Sequence, residues 1–178
     1  MTVRGALLIL CCALACGAPE RQQWVNTYDG DGEDLFVLDD DLACLADESW
    51  VTIDKTRLAN PLGHLEETVQ HANDRAAGAF PIGTIIQLLP DEVFVKRGAG
   101  FSPDTLDWEF LKLHVGSGRT VITERGTSEL NNPGGTCLSC HSAARAFDLV
   151  CFTNNTCAPL PFFVDTDIAP QDDDPRCR

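Results

Sequence analysis

Two thiols three residues apart, with an imidazole directly after the second, stand at Cys137, Cys140 and His141 in the run Gly134-Gly135-Thr136-Cys137-Leu138-Ser139-Cys140-His141. On one helical turn, cysteines at this spacing reach the two vinyl groups of a haem, and the next residue points its imidazole at the iron. This is the most specific motif of the chain. It predicts one haem c attached through Cys137 and Cys140, with His141 as the iron ligand. Rival chemistries fit less well. A structural zinc site takes about four protein ligands, and no second Cys-x-x-Cys or His-x3-His pair occurs. A thioredoxin-like dithiol belongs at a helix start in a βαβ pattern, whereas the strands upstream of Cys137 read as antiparallel.

Three other histidines, His64, His71 and His114, could each supply a second axial ligand and turn such a haem into a bis-histidine electron carrier. The only methionine is Met1, which leaves with the expected leader, so a methionine-ligated carrier has no donor.

Residues 1–15 carry Arg4, an apolar run at 6–14 and the small residues Ala13 and Ala15 before Cys16, the pattern of a secretory signal peptide. The run is shorter than the ~20 residues of a spanning helix, so cleavage is expected. Ala13-Leu14-Ala15-Cys16 also has the form of a bacterial lipobox, which would make Cys16 the lipidated first residue of the mature chain. Ordinary cleavage at the same bond is the rival and would leave Cys16 an odd thiol. The expected place is the periplasm, with a bacterial membrane touched only through the lipid anchor. Residues 16–34 read as an acidic flexible tether and residues 35–178 as a single domain.

The cysteine count agrees with export. Of nine cysteines, the leader takes Cys11 and Cys12, the lipid Cys16 and the haem Cys137 and Cys140. Cys44, Cys151, Cys157 and Cys177 remain, an even set with three possible connectivities. A short Cys151 to Cys157 loop and a long Cys44 to Cys177 clasp are the favoured pairing, because the clasp ties both acidic ends to the core. The formal net charge of −14 argues against nucleic-acid binding and against docking on anionic lipid. Acidic stretches at residues 29–41 and 165–174 read as solvated surface, while a basic redox partner protein stays compatible with them.

The elements that must position the motif precede it. Leu65, Val69 and Ala72 recur at helical spacing after the turn Asn60-Pro61-Leu62-Gly63, which predicts a helix to about residue 77. Four strands follow, at 84–89, 92–96, 108–115 and 120–124, separated by Pro, Gly and Asp turn signals. The short connections make them an antiparallel meander. In the third strand Leu111, Leu113 and Val115 share a face with Glu109, and Trp108, Phe110, Lys112 and His114 share the other. Glu109 therefore reads as a partly buried acid, and Lys96 and Lys112 as solvated strand residues. Helical residues should run from the haem motif through Ala146. The fold class expected is α+β, an antiparallel β-meander packed with helices and closed by a C-terminal c-type haem-binding helix.

Phe80-Pro81-Ile82-Gly83-Thr84-Ile85-Ile86, Trp108-Glu109-Phe110 and Gly135-Thr136-Cys137-Leu138-Ser139-Cys140-His141 follow one another as in cytochrome P460-like proteins, which this chain resembles over residues 62–160. The resemblance, which extends to the cytochromes c′-β, implies a mostly antiparallel sheet and a single c-type haem with an open distal position. It implies a small ligand, nitric oxide or another nitrogen oxide, and a homodimer. It also implies a hydroxylamine-oxidising branch whose enzymes carry a lysine bonded to the haem edge. That lysine is expected in the strand after Phe-Pro-x-Gly-Thr, which here is Thr84-Ile85-Ile86-Gln87-Leu88-Leu89 and holds none. Only Lys55, Lys96 and Lys112 exist to replace it. Under the resemblance Glu109 is the candidate catalytic proton relay of an oxidoreductase, and Phe80, Phe94 and His114 are candidates for the distal side.

Overall fold

The computed structural model describes residues 32–44, 49–53, 56–75, 77–87, 91–116, 118–127, 135–151 and 175–177. Its frame is one six-stranded antiparallel sheet in chain order. The strands are β1 (Val51–Ile53), β2 (Thr56–Ala59), β3 (Ile85–Gln87), β4 (Glu92–Lys96), β5 (Trp108–Gly116) and β6 (Arg119–Gly126). Among the described residues two short α-helices accompany it, α1 (Leu65–Asp74) between β2 and β3 and α2 (Cys137–His141) after β6. The class is α+β with little helix. The last four strands lie where turn signals and β-branched runs place them. The first two, three and four residues long, are additional to the expected meander and extend it through the β2–β3 pairing of Leu58 with Ile86.

Both faces of this sheet are buried, which is why its strands do not alternate cleanly between apolar and polar. One face carries Ala59, Ile85, Val93, Val95, Leu111 and Leu113, covered by Leu35, Val37, Leu42 and Trp50 from the segment preceding β1. The other carries Leu58, Ile86, Trp108 and Phe110, covered by Ala72 of α1, by Phe80, and by Cys137, Leu149 and Val150. The two sets follow the register, since Val93 pairs with Leu111 and Phe94 with Phe110.

Local chemistry explains the turns. Helix α1 ends at Asp74, three residues before the expected stop, because Arg75 takes a left-handed conformation (φ 48°) and its N–H bonds back to the Ala72 carbonyl. Gly83 also has positive φ (82°), and a β-carbon there would lie 2.7 Å from Leu62 side-chain atoms. The Phe-Pro-x-Gly-Thr piece is thus a turn that only glycine fits, locked by Thr84 Oγ1 donating to the Pro81 carbonyl at 2.7 Å. Asn60 joins this turn to α1, with Nδ2 donating to the Ile82 carbonyl at 3.0 Å and to Thr68 Oγ1 at 3.2 Å.

The clasp between Cys44 and Cys177 is present as a disulfide across 133 residues of sequence. Beside it Arg176 is buried, and its Nη1 donates to Gln87 Oε1 of β3 at 3.2 Å. Cys151 is also disulfide-bonded, and Cys157, the partner expected for it, lies outside the described residues. So do the segment expected to be a leader, Cys16 of the expected lipobox and most of the expected tether. Among the described residues no helix is long and apolar enough to cross a membrane.

Candidate functional site

Helix α2 starts at Cys137 for a local reason. Thr136 and Ser139 cap each other, Ser139 N–H donating to Thr136 Oγ1 at 3.2 Å and Thr136 N–H to Ser139 Oγ at 3.1 Å. This reciprocal cap sets Cys137, Cys140 and His141 on one turn. Cys137 is buried against the aromatic face of the sheet, Cys140 is half-buried, and both carry thiols, not a disulfide. The helix then loosens into a 3-10 stretch, Ser142–Phe147, with a kink at Ala144.

His141 packs into the aromatic face. Its ring centroid lies 4.4 Å from that of Phe94, edge-on, and 6.0 Å from that of Phe110. Nδ1 is 2.7 Å from the Leu149 carbonyl oxygen and 3.4 Å from Cys151 Sγ. A carbonyl and a disulfide sulfur have no proton to give, so Nδ1 carries the proton and Nε2 keeps its lone pair. Burial pulls the imidazole pKa below its ordinary value, outweighing the Leu149 hydrogen bond, and the ring is neutral at neutral pH. A neutral imidazole with Nδ1–H on a backbone carbonyl is the form that ligates metals through Nε2.

The carbonyl that holds His141 belongs to an unusual turn. Asp148 and Leu149 are consecutive left-handed residues, φ 55° and 64°. For residues with a side chain this conformation costs on the order of 1–2 kcal/mol each, so surrounding contacts must impose it. The Asp148 carboxylate accepts Lys96 Nζ–H at 2.7 and 2.8 Å and Phe80 N–H at 2.8 Å, while its carbonyl accepts Trp108 Nε1–H at 2.7 Å. Burial still leaves its carboxyl above the ordinary aspartate value, with the Lys96 bond and charge opposing the shift.

Lys96 differs from its expected solvated state. It is buried, since Nζ turns inward to Asp148 and to the Leu106 carbonyl at 2.7 Å and rests 5.1 Å from the Trp108 ring centroid. Lys112 is half-buried on β5.

Of the remaining candidates, Phe80 and Phe94 share the face of His141, each with its ring against Trp108, at 5.9 and 6.1 Å. His71 is on this face too, 4.3 Å from the Phe80 ring, and its Nε2 is buried without a hydrogen-bond partner among the described residues. His64 is held elsewhere by Glu33 at 3.0 Å, and His114 is exposed on β5. Glu109 is not brought to His141. It faces the opposite side of the sheet, where its Oε2 accepts Arg97 Nη1–H at 2.7 Å and its Oε1 lies 3.6 Å from Arg125 Nε. Arg97 bridges in turn to Asp34, at 2.7 and 2.8 Å. The partner of Glu109 was hidden from sequence reasoning because Arg97 follows a strand end and Asp34 lies in the expected tether.

Elsewhere a groove of about 480 Å³ runs between residues 36–40 and 122–125; it takes in Arg125 beside Glu109 but none of the residues around His141. Among the described residues, no three His, Cys, Asp or Glu side chains converge to cage a metal. No family model, curated protein or solved structure matches this chain.

Proposed function

We propose that this protein is a c-type haem protein, with one haem bound through Cys137 and Cys140, His141 as proximal ligand and a distal side that takes a small ligand such as nitric oxide. The observation that carries the reading is the His141 tautomer, with Nδ1–H spent on the Leu149 carbonyl and Nε2 left as a base beside two thiols on the same helical turn. Those residues fit the group, since attachment needs the two sulfurs and ligation needs a neutral, oriented imidazole. When bound, the haem supplies an iron with a coordination position for a diatomic. The chain supplies orientation of the proximal ring, an apolar wall from Phe94, Phe110 and Trp108 that disfavours water, and anchorage of the motif to the sheet.

The reading includes export to the periplasm, lipidation at Cys16 and a single P460-like domain. The hydroxylamine-oxidising branch is less favoured, because β3 has no lysine and Lys96 Nζ already donates to three oxygens. A second reading has one observation behind it. The buried Nε2 of His71, without a partner among the described residues, favours bis-histidine ligation and electron transfer, with His71 ahead of His64 and His114.

The test is expression with the leader in a host that matures c-type cytochromes. Haem that survives acid-acetone extraction, and is lost on replacing Cys137 and Cys140 by Ala, is expected. So is a high-spin spectrum that shifts with nitric oxide. Extractable haem, or none, overturns attachment. A low-spin spectrum indifferent to ligand selects the bis-histidine reading.

A further inference from the structure

We propose that Lys96 and Asp148 act as positioning residues for the proximal histidine: by pinning the Asp148–Leu149 turn to the sheet they hold the Leu149 carbonyl on His141 Nδ1 and thereby set the strength of the iron–histidine bond. The inference rests on the haem reading.

Three observations carry it. The turn is left-handed at two successive non-glycine residues, a conformation that persists only where neighbours impose it. The neighbours that impose it converge on Asp148, whose carboxylate takes Lys96 Nζ and Phe80 N–H and whose carbonyl takes Trp108 Nε1. The next carbonyl along the chain, that of Leu149, is the one 2.7 Å from His141 Nδ1. Leu149 itself is fully buried, and its N–H bonds to the Ala144 carbonyl at 3.0 Å, so the turn is fixed from both sides.

Stability alone does not account for the pair. The Lys96 and Asp148 side chains are only 6% and 3% exposed. A buried ion pair of this kind is generally no more stabilising than apolar residues filling the same space. What it adds is direction, because two carboxylate oxygens and a carbonyl held by three separate donors leave the turn one orientation. An acceptor on Nδ1–H fixes the tautomer of a ligating histidine and raises its basicity. A stronger donor imidazole strengthens the bond to iron and favours the ferric state. The lysine that could have been a haem cross-link serves here as the anchor of the proximal side.

The experiment compares haem-loaded wild type with Lys96→Met, Asp148→Asn and Trp108→Phe. It reads the ferrous iron–histidine stretching band by resonance Raman and the midpoint potential. The expected result is a lower band frequency and a higher potential in all three, smallest for Trp108→Phe, which removes one donor and keeps the aromatic packing. An unmoved band and potential in variants that retain covalent haem overturn the proposal. Should Lys96→Met or Asp148→Asn fail to fold, Trp108→Phe decides alone.

The same chain made without haem attachment separates this inference from the reading beneath it. Nitrogen-15 spectra should show His141 as the Nδ1–H tautomer in wild type and as a tautomer mixture in Asp148→Asn. A pure Nδ1–H form in Asp148→Asn sinks the latch whether or not haem binds. Covalent haem absent from wild type sinks only the haem reading.

Discussion

The ring of Phe94 meets the imidazole of His141 edge-on, with centroids 4.4 Å apart and planes at 77°. A residue in the middle of β4 and the last residue of the Cys-x-x-Cys-His turn therefore share one environment. The contact continues along the sheet, since Phe94 also packs edge-on against Phe110 at 5.0 Å.

Phe94→Ala removes the ring that both contacts use. Phe94 is half-buried, so the loss should be smaller than for a fully enclosed phenylalanine, about 2 kcal/mol of unfolding free energy in urea. Ring-current shifts at the His141 protons should shrink with it, leaving the smaller contribution of Phe110 at 6.0 Å. Unchanged His141 shifts would show that the helix does not sit on β4.

His71 offers a sharper separation of readings. Its Nε2 is a buried group with no hydrogen bond among the described residues, which costs about 1 kcal/mol or more when the chain carries no other partner for it. In the haem-free chain His71→Leu should therefore raise unfolding free energy by about 1 kcal/mol. With haem attached and the distal side open, the same substitution should leave a high-spin spectrum high-spin. A change from low to high spin, together with lost stability, would identify the iron as the missing partner.

Much of this arrangement is legible in the sequence, and the gaps have causes. The strands β4, β5 and β6 announce themselves because turn residues bracket runs rich in Val, Leu, Ile and Phe. The facing of Leu111 and Leu113 opposite to Trp108 and Phe110 follows from a period of two. The hairpin β1–β2 is quieter, since Val51-Thr52-Ile53 is three residues long and Arg57 interrupts the apolar signal of its partner. Lys96 was unreadable for a different reason: its partner Asp148 is 52 residues away and follows the Cys-x-x-Cys-His turn. Pairings at such separations leave no local trace. The same holds for Arg97 with Asp34, 63 residues apart.

The disulfide between Cys44 and Cys177 closes nearly the whole domain. A loop of 133 residues loses so much freedom in the unfolded chain that the cross-link should contribute about 4–5 kcal/mol. Cys44→Ala with Cys177→Ala should lower the unfolding free energy by that order. It should also loosen Arg176 from Gln87, visible as faster amide exchange in β3. An unchanged urea midpoint in the double variant would mean that Arg176 and the segment before β1 are held by something other than the clasp.

The Arg97 cluster makes a pH prediction. Burial pushes the Asp34 carboxyl up, but hydrogen bonds from Arg97 and Gly98 N–H together with the Arg97 charge outweigh it, so its pKa lies below the ordinary value. A carboxyl depressed on folding contributes stability that is fully present above the unfolded value of about 3.9 and is lost as pH falls through the folded value. Asp34→Asn presents an amide donor to the Arg97 guanidinium and leaves that buried cation with Glu109 alone. At pH 7 the variant should be less stable by about 3 kcal/mol, the scale of a broken buried pair. The gap between the two proteins should hold from pH 7 to about 5 and close progressively below about 4. Asp41 and Asp148, whose carboxyls burial moves upward, act with the opposite sign, but they are common to both proteins and cancel in the difference. Urea unfolding of the pair from pH 7 to pH 2.5 measures this gap, and one that stays constant over the whole range would remove the ion pair from the account of what anchors the segment before β1.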